Sequence, residues 1–154
     1  MSDAARTLFL EIADSIHKAL AKKPNKAPSR FVARDLLLAL GEVALDGDPA
    51  SVESDVAALR TALEPVDDAW RKSLGQEMEL ACTEHVQAID PRYLDHPRYD
   101  FQYTVQARQR LEMRFSALDL LGVEVDEALL GQVARADAIL EPYLQGKNGQ
   151  TGPN

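Results

Sequence analysis

Residues 90–100 read DPRYLDHPRYD and carry two Pro-Arg-Tyr triplets, Pro91-Arg92-Tyr93 and Pro97-Arg98-Tyr99, with His96 between them. An arginine offers a planar fork of donors that fits a carboxylate or a phosphate. A tyrosine offers apolar area with a polar tip. Four of the nine aromatic residues fall close together, as Tyr93, Tyr99, Phe101 and Tyr103, and Arg108 and Arg110 follow. Arginine and aromatic side chains together are enriched where proteins recognise one another. Arg92, Tyr93, His96, Arg98, Tyr99 and Arg108 therefore form the candidate partner-binding set. A structural role competes with this reading. A corner between two helices has to be held down, the tyrosines can plug the end of a bundle, and the arginines can pair with Asp90, Asp95 and Asp100.

Three other constellations could carry chemistry. The stretch 18–34, KALAKKPNKAPSRFVAR, holds six basic residues and no acid. It suits an anion or an acidic partner, against the plainer reading of a solvated corner. Phe31 is its one aromatic and no helix-turn-helix pattern accompanies it, so nucleic-acid contact is disfavoured. Cys82 and His85, three residues apart, share a helical face and sketch a nucleophile–base dyad or half a zinc site. The other histidines, His17 and His96, complete no ligand spacing, so His85 is expected to be a partly buried, hydrogen-bonded structural residue. Three of the expected helices each carry acids seven apart: Asp35 and Glu42, Glu77 and Glu84, Glu112 and Asp119. Facing carboxylates can hold metal ions in a helical core. The chain has no Glu-x-x-His, however, and solvated faces with surface ion pairs account for such spacings, Arg108 with Glu112 among them. Asp35 adjoins the most apolar run of the chain and, if buried, requires a partner such as Arg34. Glycine-rich phosphate loops, GxGxxG, CxxC, HExxH and GxSxG are all missing, which disfavours the familiar motif-bearing enzymes.

The elements that must position these residues read as helices. Leu8, Ile12, Ile16 and Leu20, with Ala5, Phe9 and Ala13 beside them, predict a first helix over about Asp3 to Lys22. Ser29 is placed to cap a second, about Arg30 to Asp46, whose LLLAL at 36–40 is apolar nearly all round and predicts the most buried helix. Asp48 and Pro49 open a short third helix with the stripe Val52, Val56, Leu59 and Leu63. Pro65 opens a fourth, lined by Val66, Trp70, Leu74, Met78 and Ala81 and reaching about Ala88. After the corner at 89–100, a fifth helix spans about Phe101 to Leu121, with Leu111, Phe115, Leu118 and Leu121 inward and Gly122 as its stop. Asp126 caps a sixth with the stripe Leu129, Val133, Ala136, Leu140 and Tyr143, which Pro142 is expected to end or kink near Leu140. The glycine-rich remainder, 146–154, is expected to be disordered.

The expectation is thus an all-α protein: one helical domain over 1–145, a bundle or orthogonal array of about six helices, and a polar tail. A chain of 154 residues suits one domain. One cysteine rules out an internal disulfide, no apolar run approaches the roughly 20 residues of a membrane span, and the first ten residues lack a secretory pattern. A soluble, cytoplasmic protein follows. The net charge of −8 is uneven, with +3 over 1–40, −9 over 41–100 and −2 over 101–154. So acidic a chain is poorly suited to broad nucleic-acid binding. These residues favour a non-catalytic interaction module, an adaptor, regulator or assembly subunit, with no cofactor and no metal. Its expected partner is a protein; closed two-fold dimers are common, so a second copy of the chain is one candidate. The rival readings are a metal-binding or enzymatic bundle using the helix-borne carboxylates, and anion or nucleic-acid contact through 18–34.

Overall fold

The computed structural model describes the backbone of residues 2–151 and the side chains of residues 3–145. Every regular element among them is helical. The long helices are α1 (Ser2–Lys22), α2 (Arg30–Asp46), α3 (Glu53–Leu63), α4 (Asp67–Ala88), α6 (Phe101–Leu121) and α7 (Glu127–Thr151), and a single turn, α5 (Pro91–Leu94), precedes α6. Short 3-10 turns at Pro49–Val52 and Glu64–Val66 lead into α3 and α4, so Pro65 belongs to the turn ahead of α4 and does not open the helix itself. The protein is all-α. No helix of the described residues is long and apolar enough to cross a membrane.

Local chemistry sets several ends. The Ser29 hydroxyl accepts from the Val32 amide and starts α2. Asp126 accepts from the Ala128 amide ahead of α7. Gly122 closes α6 at φ +71°, with the Gly122 amide donating to the Asp119 carbonyl and the Val123 amide to that of Leu118. This paired closure needs the left-handed conformation that glycine adopts without strain.

The chain forms two compact units. The first comprises residues 1–78 and 110–125, the second 79–109 and 126–154. In the first unit α1 packs on α2 and α3. Phe9, Leu36, Leu37, Leu40, Val52, Leu59, Leu74, Leu111 and Leu118 are fully enclosed there, and the 36–40 run of α2 is buried apart from the half-buried Leu38, as its composition predicts. The inner face of α1 differs from expectation. Leu8 is exposed, while Ala5, Phe9, Ala13, Ile16 and Leu20 are buried. At about 100° per residue the row 8, 12, 16, 20 winds through some 120°, whereas the five buried residues stay within about 80° of arc. Asp35 is exposed and paired with Arg34 at 3.2 Å, so it is no buried latch.

In the second unit Ile89, Leu94, Ala136 and Leu140 form a buried cluster with Val86, Tyr99, Phe101, Tyr143 and Leu144 packed around it. Pro142 does not end α7, which runs through it to Thr151. Proline in a helix interior costs about 3 kcal/mol locally. Here Leu140 on one side is sealed in the cluster and Tyr143 on the other stacks against Phe101 at 6.3 Å, and this packing outweighs the local penalty. The helical backbone extends over residues 146–151 of the expected 146–154 tail. Residues 152–154, and the side chains from 146 onward, lie outside the described residues.

Candidate functional site

The corner of the second unit is built from the backbone outward. Ile89 ends the preceding segment in the buried cluster, and Asp90 then caps α5, its carboxylate accepting from the Arg92 amide at 2.9 Å. Pro91 occupies the first helical position, where its missing N–H costs nothing. One turn later Leu94 is only 3% exposed and plugs the cluster. His96 Nδ1 accepts from the Arg98 amide at 3.1 Å and fixes the following turn. Tyr99 then meets Phe101 edge-on at 4.8 Å and hydrogen-bonds Thr104, and Asp100 caps α6 through the Tyr103 amide.

This arrangement divides the sequence-predicted set. Arg92, Tyr93, His96 and Arg98 point outward, with Tyr93 58% exposed. Tyr103, outside that set, is 65% exposed. Tyr99 and Arg108 turn inward. Tyr99 is part of the cluster, and the half-buried Arg108 is clamped on Asp137, with Nε 3.0 Å from Oδ1 and Nη2 3.0 Å from Oδ2.

The two outward arginines differ. Arg92 grips its own cap, Asp90, at 2.8 Å, and lies 5.9 Å from the Tyr93 ring centroid. Hydrogen bonds from the Arg92 side chain and backbone hold the Asp90 carboxyl below the usual carboxylate range. The Arg98 guanidinium makes no ion pair among the described residues, and its donors face solvent. Asp95 and Asp100 are not its partners. Asp100 serves the helix cap, while the Tyr143 hydroxyl donates to Asp95, and that hydrogen bond first, then burial, pushes the Tyr143 phenol above its ordinary value.

Two polar clusters escaped the sequence reading. In the first unit Glu77, 2% exposed, takes Arg114 Nε at 3.0 Å and Arg30 Nη1 at 3.4 Å. A signal for it existed, since at about 100° per residue Glu77 lies within about 20° of Trp70 on the inner face of α4. In the second unit His85, 4% exposed, faces Asp137 Oδ1 at 3.2 Å, which Arg108 also holds. A carboxylate only accepts, so Nε2–H donates. His85 is therefore the hydrogen-bonded structural histidine expected of it; its partner Asp137 was not foreseen. Cys82, His85 and Asp137 have the residue types of a cysteine hydrolase triad. Cys82 has no solvent exposure, however, and Asp137 is neutralised by Arg108, which makes the cluster a tie within the unit.

Among the described residues no three metal-ligating side chains converge, so none of the acid pairs seven apart gathers a third ligand. Glu84, Glu112 and Asp119 are exposed, and Glu77 is claimed by arginines. No family model, curated protein or solved structure matches the chain.

Proposed function

We propose that this chain is a non-catalytic helical interaction module, cytoplasmic in location, that recognises a protein partner through the outward face of the 90–100 corner. The observation carrying this reading is the segregation of side chains within one turn: Tyr93 is 58% exposed beside Leu94 at 3%. A rigid, anchored turn that displays an aromatic ring and guanidinium groups loses little conformational entropy on binding. Arg98 supplies the open donor fork for a partner's carboxylate, Tyr93 the area to be buried, and Arg92 a planar cation over that ring. Arg108 and Tyr99 act behind this surface as supports. A second copy of the chain is one partner of suitable chemistry, since its acidic residues can meet Arg98.

The test pairs Tyr93→Ala/Arg98→Ala with the wild type in quantitative capture from the native host and in sedimentation velocity. The double variant should lose its partner, or its own dimer, at least tenfold while its melting temperature stays within about 2 °C, because both side chains project into solvent. Tyr99→Ala should instead lower the melting temperature. Identical partner and assembly profiles for wild type and double variant would overturn the proposal.

A further inference from the structure

The six cations of the stretch 18–34 divide into two groups. Lys18 pairs with Asp14 at 2.9 Å, Arg34 with Asp35 at 3.2 Å, and Arg30 with Glu77 while lying 4.4 Å from the Phe31 ring centroid. Lys22, Lys23 and Lys26 make no ion pair among the described residues. All three line a single cleft of about 360 Å³ in the first unit, where the end of α1 meets the start of α2. Its floor is apolar, with Leu20, Pro28 and Val32 among the lining residues. The stretch supplying this rim has no acid of its own, in a chain whose net charge is −8.

Duty to the helix dipole does not account for these lysines. Lys22 belongs to the last turn of α1, where a cation suits the carbonyl end, but Lys23 and Lys26 lie beyond the helix. The positive end of α2 at Ser29 and the negative end of α1 both border the cleft and offset each other. Its positive character therefore comes from three ammonium groups set around a greasy floor. A small inorganic anion would use only the rim, and a neutral hydrocarbon only the floor. A ligand that satisfies both has an anionic head and an apolar tail. The volume lies near the lower end of the range for small-ligand sites, roughly 300–1,000 Å³, which suits one chain of medium length.

We infer that this cleft binds a single-chain anionic amphiphile of the medium-chain carboxylate class, the lysines holding the head and the Leu20–Val32 floor the tail. The test is titration of the full chain with decanoate, followed by calorimetry and by methyl chemical shifts, with 1-decanol and butyrate as controls. Decanoate should bind saturably near one per chain, shift the Leu20 and Val32 methyls, and weaken as salt rises. Lys22→Gln/Lys23→Gln/Lys26→Gln should weaken it about tenfold, the summed effect of three exposed charge contacts, with unchanged circular dichroism. Val32→Asp, at the floor, should weaken it with the lysines intact. The inference is overturned if decanoate fails to saturate, if 1-decanol or butyrate binds as tightly, or if the triple variant binds unchanged. Lysine-dependent binding of poly-glutamate or of phosphatidylserine vesicles in the absence of decanoate binding would likewise overturn it, and would assign the rim to a macromolecular surface.

Discussion

Glu77 carries a charge in a place where charge is costly, and two arginines make that tolerable. Both of its oxygens are occupied, the closer contact being that of Arg114 at 3.0 Å. Removing one partner of a buried pair leaves the other's charge uncompensated, which typically costs about 3–5 kcal/mol. Arg114→Ala should therefore lower stability by about 3 kcal/mol in urea titration. Arg30→Ala should cost less, since its contact is longer and more exposed, and Glu77→Met with Arg114→Leu should recover most of the loss. Tyr143 makes a different prediction. Its folded pKa is raised by the hydrogen bond to Asp95, so the folded state holds the phenol proton more tightly than the unfolded chain. That contribution is complete below about pH 10, the unfolded value, and is lost as pH rises through the higher folded value. In an absorbance titration Asp95→Asn should move one tyrosine to lower pH, and Tyr143→Phe should remove that late-titrating ring. Unchanged curves for both variants would show that the hydrogen bond does not act on the phenol.

Among the elements, α2 and α6 meet backbone to backbone. A Cβ placed on Gly41 would run into the backbone of Met113, so glycine there is a condition of helix contact, although nothing in the LGEV sequence announces it. Gly41→Ala gains about 1 kcal/mol of helix propensity but must displace a neighbouring backbone. Overpacking of this kind costs about 1–3 kcal/mol or more and should dominate. Gly75, within α4, is exposed, and a Cβ added there would meet nothing within 4 Å. Gly75→Ala should therefore raise the melting temperature by a few degrees while Gly41→Ala lowers it. Shifts of the same sign in thermal denaturation would refute this account of the contact. At the corner, α5 is too short to persist by itself, because a single turn does not repay helix nucleation. It is held by its Asp90 cap and by Leu94, which is what lets Tyr93 and Arg98 be displayed on a fixed turn.

At the scale of the molecule, the helices distribute into two compact units, and the corner belongs to the second. Leu140 lies in that unit's cluster, so Leu140→Ala should cost about 2–5 kcal/mol. Hydrogen exchange should then show its largest loss of protection within 79–109 and 126–145, and a loss spread evenly over the chain would contradict the partition. Much of this organisation was legible in the residues. Ser29, Asp126 and Gly122 mark helix ends through bonds to amides and carbonyls a few positions away, and the apolar spacing of α2, α4 and α7 shows at once that these are helices. The outward or inward fate of the corner residues was not legible, since Tyr93 and Tyr99 hold the same place in matching triplets and are separated by the packing of Tyr99 against Phe101 and its hydrogen bond to Thr104. The sequence by itself determined the all-α class, most helix ends and the uneven charge, because periodicity and capping act over one or two turns. Only the tertiary structure decided which face of α1 turns inward, that α7 passes through Pro142, and which partners Glu77 and His85 meet. Those outcomes rest on groups that meet across the chain, Arg30 with Glu77 over 47 residues and His85 with Asp137 over 52, and no local pattern encodes such meetings.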